Sequence, residues 1–139
     1  IHIVGEGNIL LQEGAEDQSG YQQKEYLHDE FGDVLAAADV VVSRAGANSI
    51  YELLLTRKLH ILVPLSRRAS RGDQIVNARL FEDQGMSMVI QEENLTPACL
   101  LSSLEQLEKE QDTRIAALSQ FQVPDAVSRI TELIFEAAR

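Results

Sequence analysis

The sequence predicts an α/β fold, a Rossmann-like parallel sheet with flanking helices, and three observations carry that expectation. Short, largely apolar runs at residues 1–4, 40–42 and 60–64 alternate with segments whose apolar residues recur every three or four positions. Those runs are too short for helices, and the unbroken apolarity of Val40-Val41-Val42 suits a strand covered on both faces by helices. Finally, 139 residues with 45% apolar and 24% charged side chains make an ordinary globular domain, which excludes a disordered chain.

The elements follow in order. Residues 1–4 read as a buried strand ended by the turn cluster Gly5-Glu6-Gly7-Asn8, and residues 9–20 as irregular. Residues 21–27 are a second short strand. Phe31, Val34, Leu35 and Ala38 fall at helical spacing, predicting a helix over 30–38. After the strand at 40–42, residues 47–56 form a helix with Ile50, Leu53 and Leu54 on one side. A strand over 60–64 and a polar loop over 65–72 lead to a helix over 74–84, with Ile75, Ala78, Leu80 and Phe81 facing inward. Gly85 ends that helix as its left-handed cap. Residues 87–90 are a fifth strand. Thr96 followed by Pro97 is an N-cap with a first-turn proline, starting a helix that runs to about residue 109. Pro124 starts a last helix with an apolar stripe of Val127, Ile130, Leu133, Ile134 and Ala137.

Twelve basic against twenty-two acidic residues leave a net charge of −10, a field that repels phosphate backbones and excludes nucleic acid as a partner. A small phosphorylated ligand stays open, because a local nest of backbone amides acts against the overall charge. No apolar run approaches the ~20 residues of a membrane span, so no transmembrane segment is expected. The single cysteine, Cys99, excludes an internal disulfide and a thiolate zinc site, and with it the expected location is cytoplasmic. His2, His28 and His60 share no metal-ligand spacing, and His60, opening a strand, is expected to be structural. The three-glycine dinucleotide pattern and the lysine-bearing phosphate loop are both missing, so no nicotinamide, flavin or other cofactor is expected. The chain opens inside a strand without a methionine, which reads as a piece of a longer protein.

Helices alternating with parallel strands place ligands beyond the carboxyl ends of the strands. Two segments there can carry chemistry. The first is Ser43-Arg44-Ala45-Gly46-Ala47-Asn48-Ser49-Ile50-Tyr51-Glu52. A strand delivers Ser43 to a turn where Gly46 permits close backbone approach. The helix beginning at Ala47 then presents free N–H groups to a phosphate. Glu52, an acceptor when ionised, suits two adjacent ribose hydroxyls. The second is the loop Ser66-Arg67-Arg68-Ala69-Ser70-Arg71-Gly72-Asp73-Gln74. Three arginines in so acidic a chain can pair with a diphosphate, and Asp73 and Gln74 can reach sugar hydroxyls. Spacing alone equally allows a packing turn with a solvated Glu52 and a solvated basic loop capped by Asp73. Gly5-Glu6-Gly7 reads as a plain turn, and Cys99 as a core residue.

Together, SRAGANSIYELL, ILVPL and SRGDQIVNARLFEDQG resemble the carboxyl-terminal domain of the MurG family. These transferases add N-acetylglucosamine to undecaprenyl-pyrophosphoryl-muramoyl-pentapeptide, turning lipid I into lipid II for peptidoglycan. The resemblance runs from about Gly5 to the end of the chain. It implies the second half of a GT-B fold, holding UDP-N-acetylglucosamine for a metal-independent, inverting transfer. Glu52 matches the glutamate on the donor ribose, Gln74 a glutamine on the sugar hydroxyls, and Asp73 that glutamine's neighbour. Leu27 matches the residue whose backbone reads uracil. Ser43, Arg44, Ala45, Gly46 and Ala47 match the turn beside the nucleotide, and Asn77 is a structural support. Asp73 stands where relatives have an amide or imidazole, and Glu6 where many have lysine.

The resemblance further implies that the first strand of this domain, the acceptor-binding domain and its catalytic histidine lie outside residues 1–139. No catalytic residue is therefore expected here, and the piece alone is expected to be inactive. The lipid-linked acceptor would be met through that other domain, with the whole protein peripheral on the inner face of the plasma membrane. The last helix is expected to pack against the other domain. A UDP-N-acetylglucosamine 2-epimerase, another GT-B lipid glycosyltransferase, a non-catalytic nucleotide-binding subunit and a plain interaction domain are the competing readings.

Overall fold

In the computed structural model, which describes residues 1–9, 20–122 and 125–138, the chain divides into two compact units, Ile1–Ala38 and Asp39–Arg139. In the first unit, β1 (His2–Ile3) and β2 (Gln23–Lys24) pair in parallel, His2 opposite Gln23 and Ile3 opposite Lys24. The strand expected over 21–27 is thus confined to two residues, and β1, expected to be buried, leaves Ile3 47% exposed. A two-stranded ladder of two residues buries little. The turn after β1 has Gly5 and Gly7 at φ of 82° and 71°, and the Gly7 amide donates to Glu25 Oε1 at 2.7 Å. The expected plain turn is what forms, its amide held by a carboxylate of the same unit. Helix α1 (Phe31–Ala37) completes this unit. Most of the stretch expected to be irregular, 10–19, lies outside the described residues.

The second unit is built on a three-stranded parallel sheet of β3 (Val40–Ser43), β4 (Leu59–Leu62) and β5 (Met88–Val89), in that spatial order. Helices α2 (Ala47–Leu55) and α3 (Asp73–Asp83) supply the crossovers of two consecutive βαβ units. A 3₁₀ turn (Glu92–Asn94) follows β5, and then α4 (Pro97–Lys109), α5 (Gln111–Ser119) and α6 (Ala126–Ala137). The central strand β4 is buried through His60, Ile61 and Leu62. By contrast β3, expected to be covered on both faces, has Val42 46% exposed, because it is an edge strand of this sheet. Ile61, Val63, Met88, Ile90 and Leu107 form a core cluster against which Val40, Leu59, Cys99, Leu100 and Leu104 pack. Cys99 is therefore the core residue its setting predicted.

Local rules explain the helix ends. Thr96 Oγ1 accepts the Cys99 amide at 3.1 Å, the predicted N-cap, with Pro97 in the first turn. Gly85, at φ 71°, closes α3 in a Schellman pattern: its amide bonds the Glu82 carbonyl at 2.8 Å, and the Met86 amide bonds the Phe81 carbonyl at 3.0 Å. On α3, Ala78 and Phe81 are buried as expected, but Leu80 is 55% exposed. One position before Phe81 it is turned by about 100° off the buried line. Tyr51, Phe81 and Phe121 meet edge-to-face at centroid separations of 5.9–6.4 Å. Helix α6 buries none of its residues, and its stripe of Val127, Ile130, Leu133 and Ile134 is exposed. Asp125 caps it through the Ser128 amide, while Pro124 lies outside the described residues.

Candidate functional site

The loops that leave the carboxyl ends of β3, β4 and β5 are bound to one another by side chains. At the end of β3, the Ser43 carbonyl accepts the Val63 amide at 2.8 Å, extending the ladder one step past β4. Ser43 Oγ donates to the Arg44 carbonyl at 3.0 Å. Arg44 then reaches across β4, donating from Nη1 to the Val63 carbonyl at 3.3 Å and pairing with Glu92 Oε1 at 2.7 Å. The other oxygen of Glu92 accepts the Ser66 amide at 2.9 Å. These two partners, the Ser66 amide foremost, hold the Glu92 carboxyl below the usual carboxylate range.

Helix α3 ties into the same edge. Gln74 Oε1 accepts the Leu65 amide at 3.1 Å, and Asn77 Nδ2 reaches the Ala45 carbonyl at 3.5 Å, the structural support expected of it. Ala45 is completely buried beneath this corner. The β4–α3 loop is itself a hydrogen-bonded turn: the Ser66 carbonyl accepts from the Ala69 and Ser70 amides, and Ser70 Oγ accepts the Gly72 amide. Gly72, at φ 90°, turns the chain into α3, a conformation that disfavours any other residue. Arg67, Arg68 and Arg71 project into solvent from this loop, and Asp73 is exposed in the first turn of α3.

At the start of α2 the close backbone approach expected of Gly46 does not occur among the described residues. Its φ of −66° and ψ of 143° are ordinary extended backbone, and a Cβ there would meet none of the described residues within 4 Å. An N-cap needs only that extended geometry, so the corner turns without strain. Among the described residues no side chain caps α2, and its first turn holds no acidic residue, so no carboxylate of its own offsets the positive helix end. Glu52 lies on the exposed face of α2, turned away from Ile50, Leu53 and Leu54, which are buried as the sequence predicts.

The structure thus brings together Ser43, Arg44, Ala45, Gly46 and Ala47 with the segment that leads to Asp73 and Gln74. Leu27 belongs to the first unit, where it is half-buried just before the His28–Glu30 turn. Sequence reasoning did not single out Glu92, which lies in the loop after β5. Nothing local distinguishes it from Glu93, and only its contacts with residues 26 and 48 positions away do. Among the described residues no cluster of three or more His, Cys, Asp or Glu side chains is placed to hold a metal ion, and no helix is long and apolar enough to cross a membrane.

Residues 1–130 match the glycosyltransferase family 28 C-terminal domain. The chain is 46% identical over 138 residues to the UDP-N-acetylglucosamine–N-acetylmuramyl-(pentapeptide) pyrophosphoryl-undecaprenol N-acetylglucosamine transferase of Clostridium perfringens strain SM101, covering 99% of this chain and 38% of that protein. It is 48% identical over 134 residues to the enzyme of the same name from Clostridium kluyveri, covering 96% of this chain and 37% of that one. It therefore spans less than two-fifths of the length of these relatives. Among solved structures, Acinetobacter baumannii MurG superimposes with a TM-score of 0.66 at 24% identity, over 84% of this chain and 33% of that one. The glycotransferase of kitacinnamycin gives a TM-score of 0.66 at 22% identity, over 84% of this chain and 28% of that one. These two likenesses bear on the fold, the parallel-sheet α/β architecture of GT-B glycosyltransferases.

Proposed function

Because the chain belongs to the glycosyltransferase family 28 C-terminal domains, we propose that it is the donor-binding half of a hexosyltransferase acting in peptidoglycan synthesis. The reaction moves N-acetylglucosamine from UDP-N-acetylglucosamine to undecaprenyl-pyrophosphoryl-muramoyl-pentapeptide, the reaction partners that the names of the clostridial relatives point to. The observation that supports this most is the lacing of the β3, β4 and β5 loops by Arg44, Glu92, Gln74 and Asn77. It sets an uncapped helix end and an arginine-bearing turn on one edge of the sheet, where an α/β fold takes up a nucleotide.

In this reading the turn of residues 43–47 and the start of α2 face the diphosphate. Glu52 accepts from the ribose hydroxyls. Gln74, its carboxamide oxygen occupied by Leu65, donates from its NH₂ to a sugar hydroxyl, with Asp73 beside it. The backbone of Leu27 reads uracil. The acceptor hydroxyl attacks the anomeric carbon from the side opposite the diphosphate, the C1–O bond to UDP breaks, and the configuration inverts. The attacking hydroxyl gives its proton to a base outside this chain. What this chain contributes is orientation of the donor and stabilisation of the negative charge that develops on the leaving diphosphate. The whole protein works at the inner face of the plasma membrane, where its lipid acceptor lies, and takes no nucleic acid.

Titration calorimetry of the full-length protein with UDP-N-acetylglucosamine tests the reading. Saturable binding is expected, and Glu52→Ala is expected to weaken it more than tenfold; absence of binding to the wild type overturns the reading. Products made with and without the lipid acceptor separate transfer from epimerisation, because only an epimerase turns the donor over alone.

A further inference from the structure

Glu92 is a carboxylate held beside a proposed diphosphate site, where its charge by itself works against the ligand. Its geometry offers a different reason for its presence. One oxygen is given to the Ser66 amide and the other to Arg44 Nη1, so a single side chain joins the loops after β3, β4 and β5. From Ser66 the order propagates: its carbonyl takes the Ala69 and Ser70 amides, Ser70 Oγ takes the Gly72 amide, and Gly72 opens the helix that carries Asp73 and Gln74. The neighbouring Leu65 amide is held from the other side by Gln74 itself. Consecutive amides of this loop are therefore fixed by two side chains, one of which is Glu92.

We propose that Glu92 is a positioning residue of the donor site. It shapes the arginine-bearing loop through the Ser66 amide and aims the Arg44 guanidinium through an ion pair. The inference rests on the donor-binding reading above. A charge-assisted bond to the amide and a salt link to Arg44 act together, so removing the side chain leaves both loops to find new partners at once.

The test uses the full-length protein, UDP-N-acetylglucosamine and the lipid-linked acceptor. Glu92→Ala is expected to raise the KM for UDP-N-acetylglucosamine about tenfold while kcat stays within about twofold. Glu92→Gln keeps an acceptor for the Ser66 amide and is expected to recover part of that loss. Hydrogen exchange at the Ala69 and Ser70 amides is expected to quicken in Glu92→Ala and less so in Glu92→Gln. A KM unchanged or lowered in both variants overturns the inference, as the lowered value shows that only the repulsive charge mattered. A fall in kcat that tracks a fall in melting temperature, with KM unmoved, overturns it too, since that is what general destabilisation produces. Wild-type protein that binds no UDP-N-acetylglucosamine overturns the donor-binding reading and this inference with it, whereas wild-type binding matched by Glu92→Ala removes the inference alone.

Discussion

His60 has both ring nitrogens engaged, Nδ1 with the Lys58 carbonyl at 2.7 Å and Nε2 with Ser87 Oγ at 2.6 Å. Burial pushes its pKa below the ordinary imidazole value, the Arg114 charge pushes the same way, and the Lys58 carbonyl partly opposes them. A neutral His60 in the folded chain faces a protonatable one in the unfolded chain. Its contribution to stability is thus fully present above the unfolded pKa of about 6.5 and is lost as pH falls through the lower folded value. Denaturant unfolding is expected to show stability dropping as pH falls below about 6.5, with a shallower drop in His60→Gln. Ser87→Ala strands the ring nitrogen in a buried site and is expected to cost about 1–3 kcal/mol by the same measurement. A lone histidine at the start of a buried strand is legible as structural. Its partner, 27 residues further on, is not, because nothing in one strand says which residue of the next it will meet. Glu92 is the same case within the candidate site.

Elements were legible where their signals are local. The Thr96–Pro97 start and the Gly85 stop both form as read, and each supports a quantitative expectation. Thr96→Ala removes an acceptor for the Cys99 amide and is expected to cost about 1 kcal/mol in chemical denaturation. Gly85→Ala is expected to cost about 1–2 kcal/mol, since its Cβ would meet only Ala117 Cβ at an ordinary 4.0 Å and the penalty is one of backbone conformation. Helix α5 is not legible in the sequence, because its residues have little apolar periodicity and only Leu118 among them is buried. It is held instead by Arg114, which donates to the Ser87 carbonyl at 2.8 Å and clasps Glu110 at 2.7 Å. The exposure of Val42 has a similar origin, since strand order settles which apolar run becomes an edge.

For the molecule as a whole, α6 separates what a pattern promises from what a chain uses. Its stripe is the most regular amphipathic signal in the sequence, yet Ile134 is 62% exposed. Ile134→Ser is accordingly expected to shift the stability of this chain by no more than about 0.5 kcal/mol in thermal or chemical unfolding. Leu107→Ala, at a fully buried position of the core cluster, is expected to cost about 2–5 kcal/mol. The class of fold, the buried line of α2, the Thr96 and Gly85 caps and the loops that carry the candidate site all follow from the sequence alone. Each depends on periodicity, on caps or on strand–helix alternation, which neighbouring residues encode. Strand order, the exposed edge at Val42, the burial of His60 against Ser87, and the Arg44–Glu92–Ser66 junction were decided only by tertiary structure. They are contacts between distant residues, and their energies come into being only when packing brings those residues within reach.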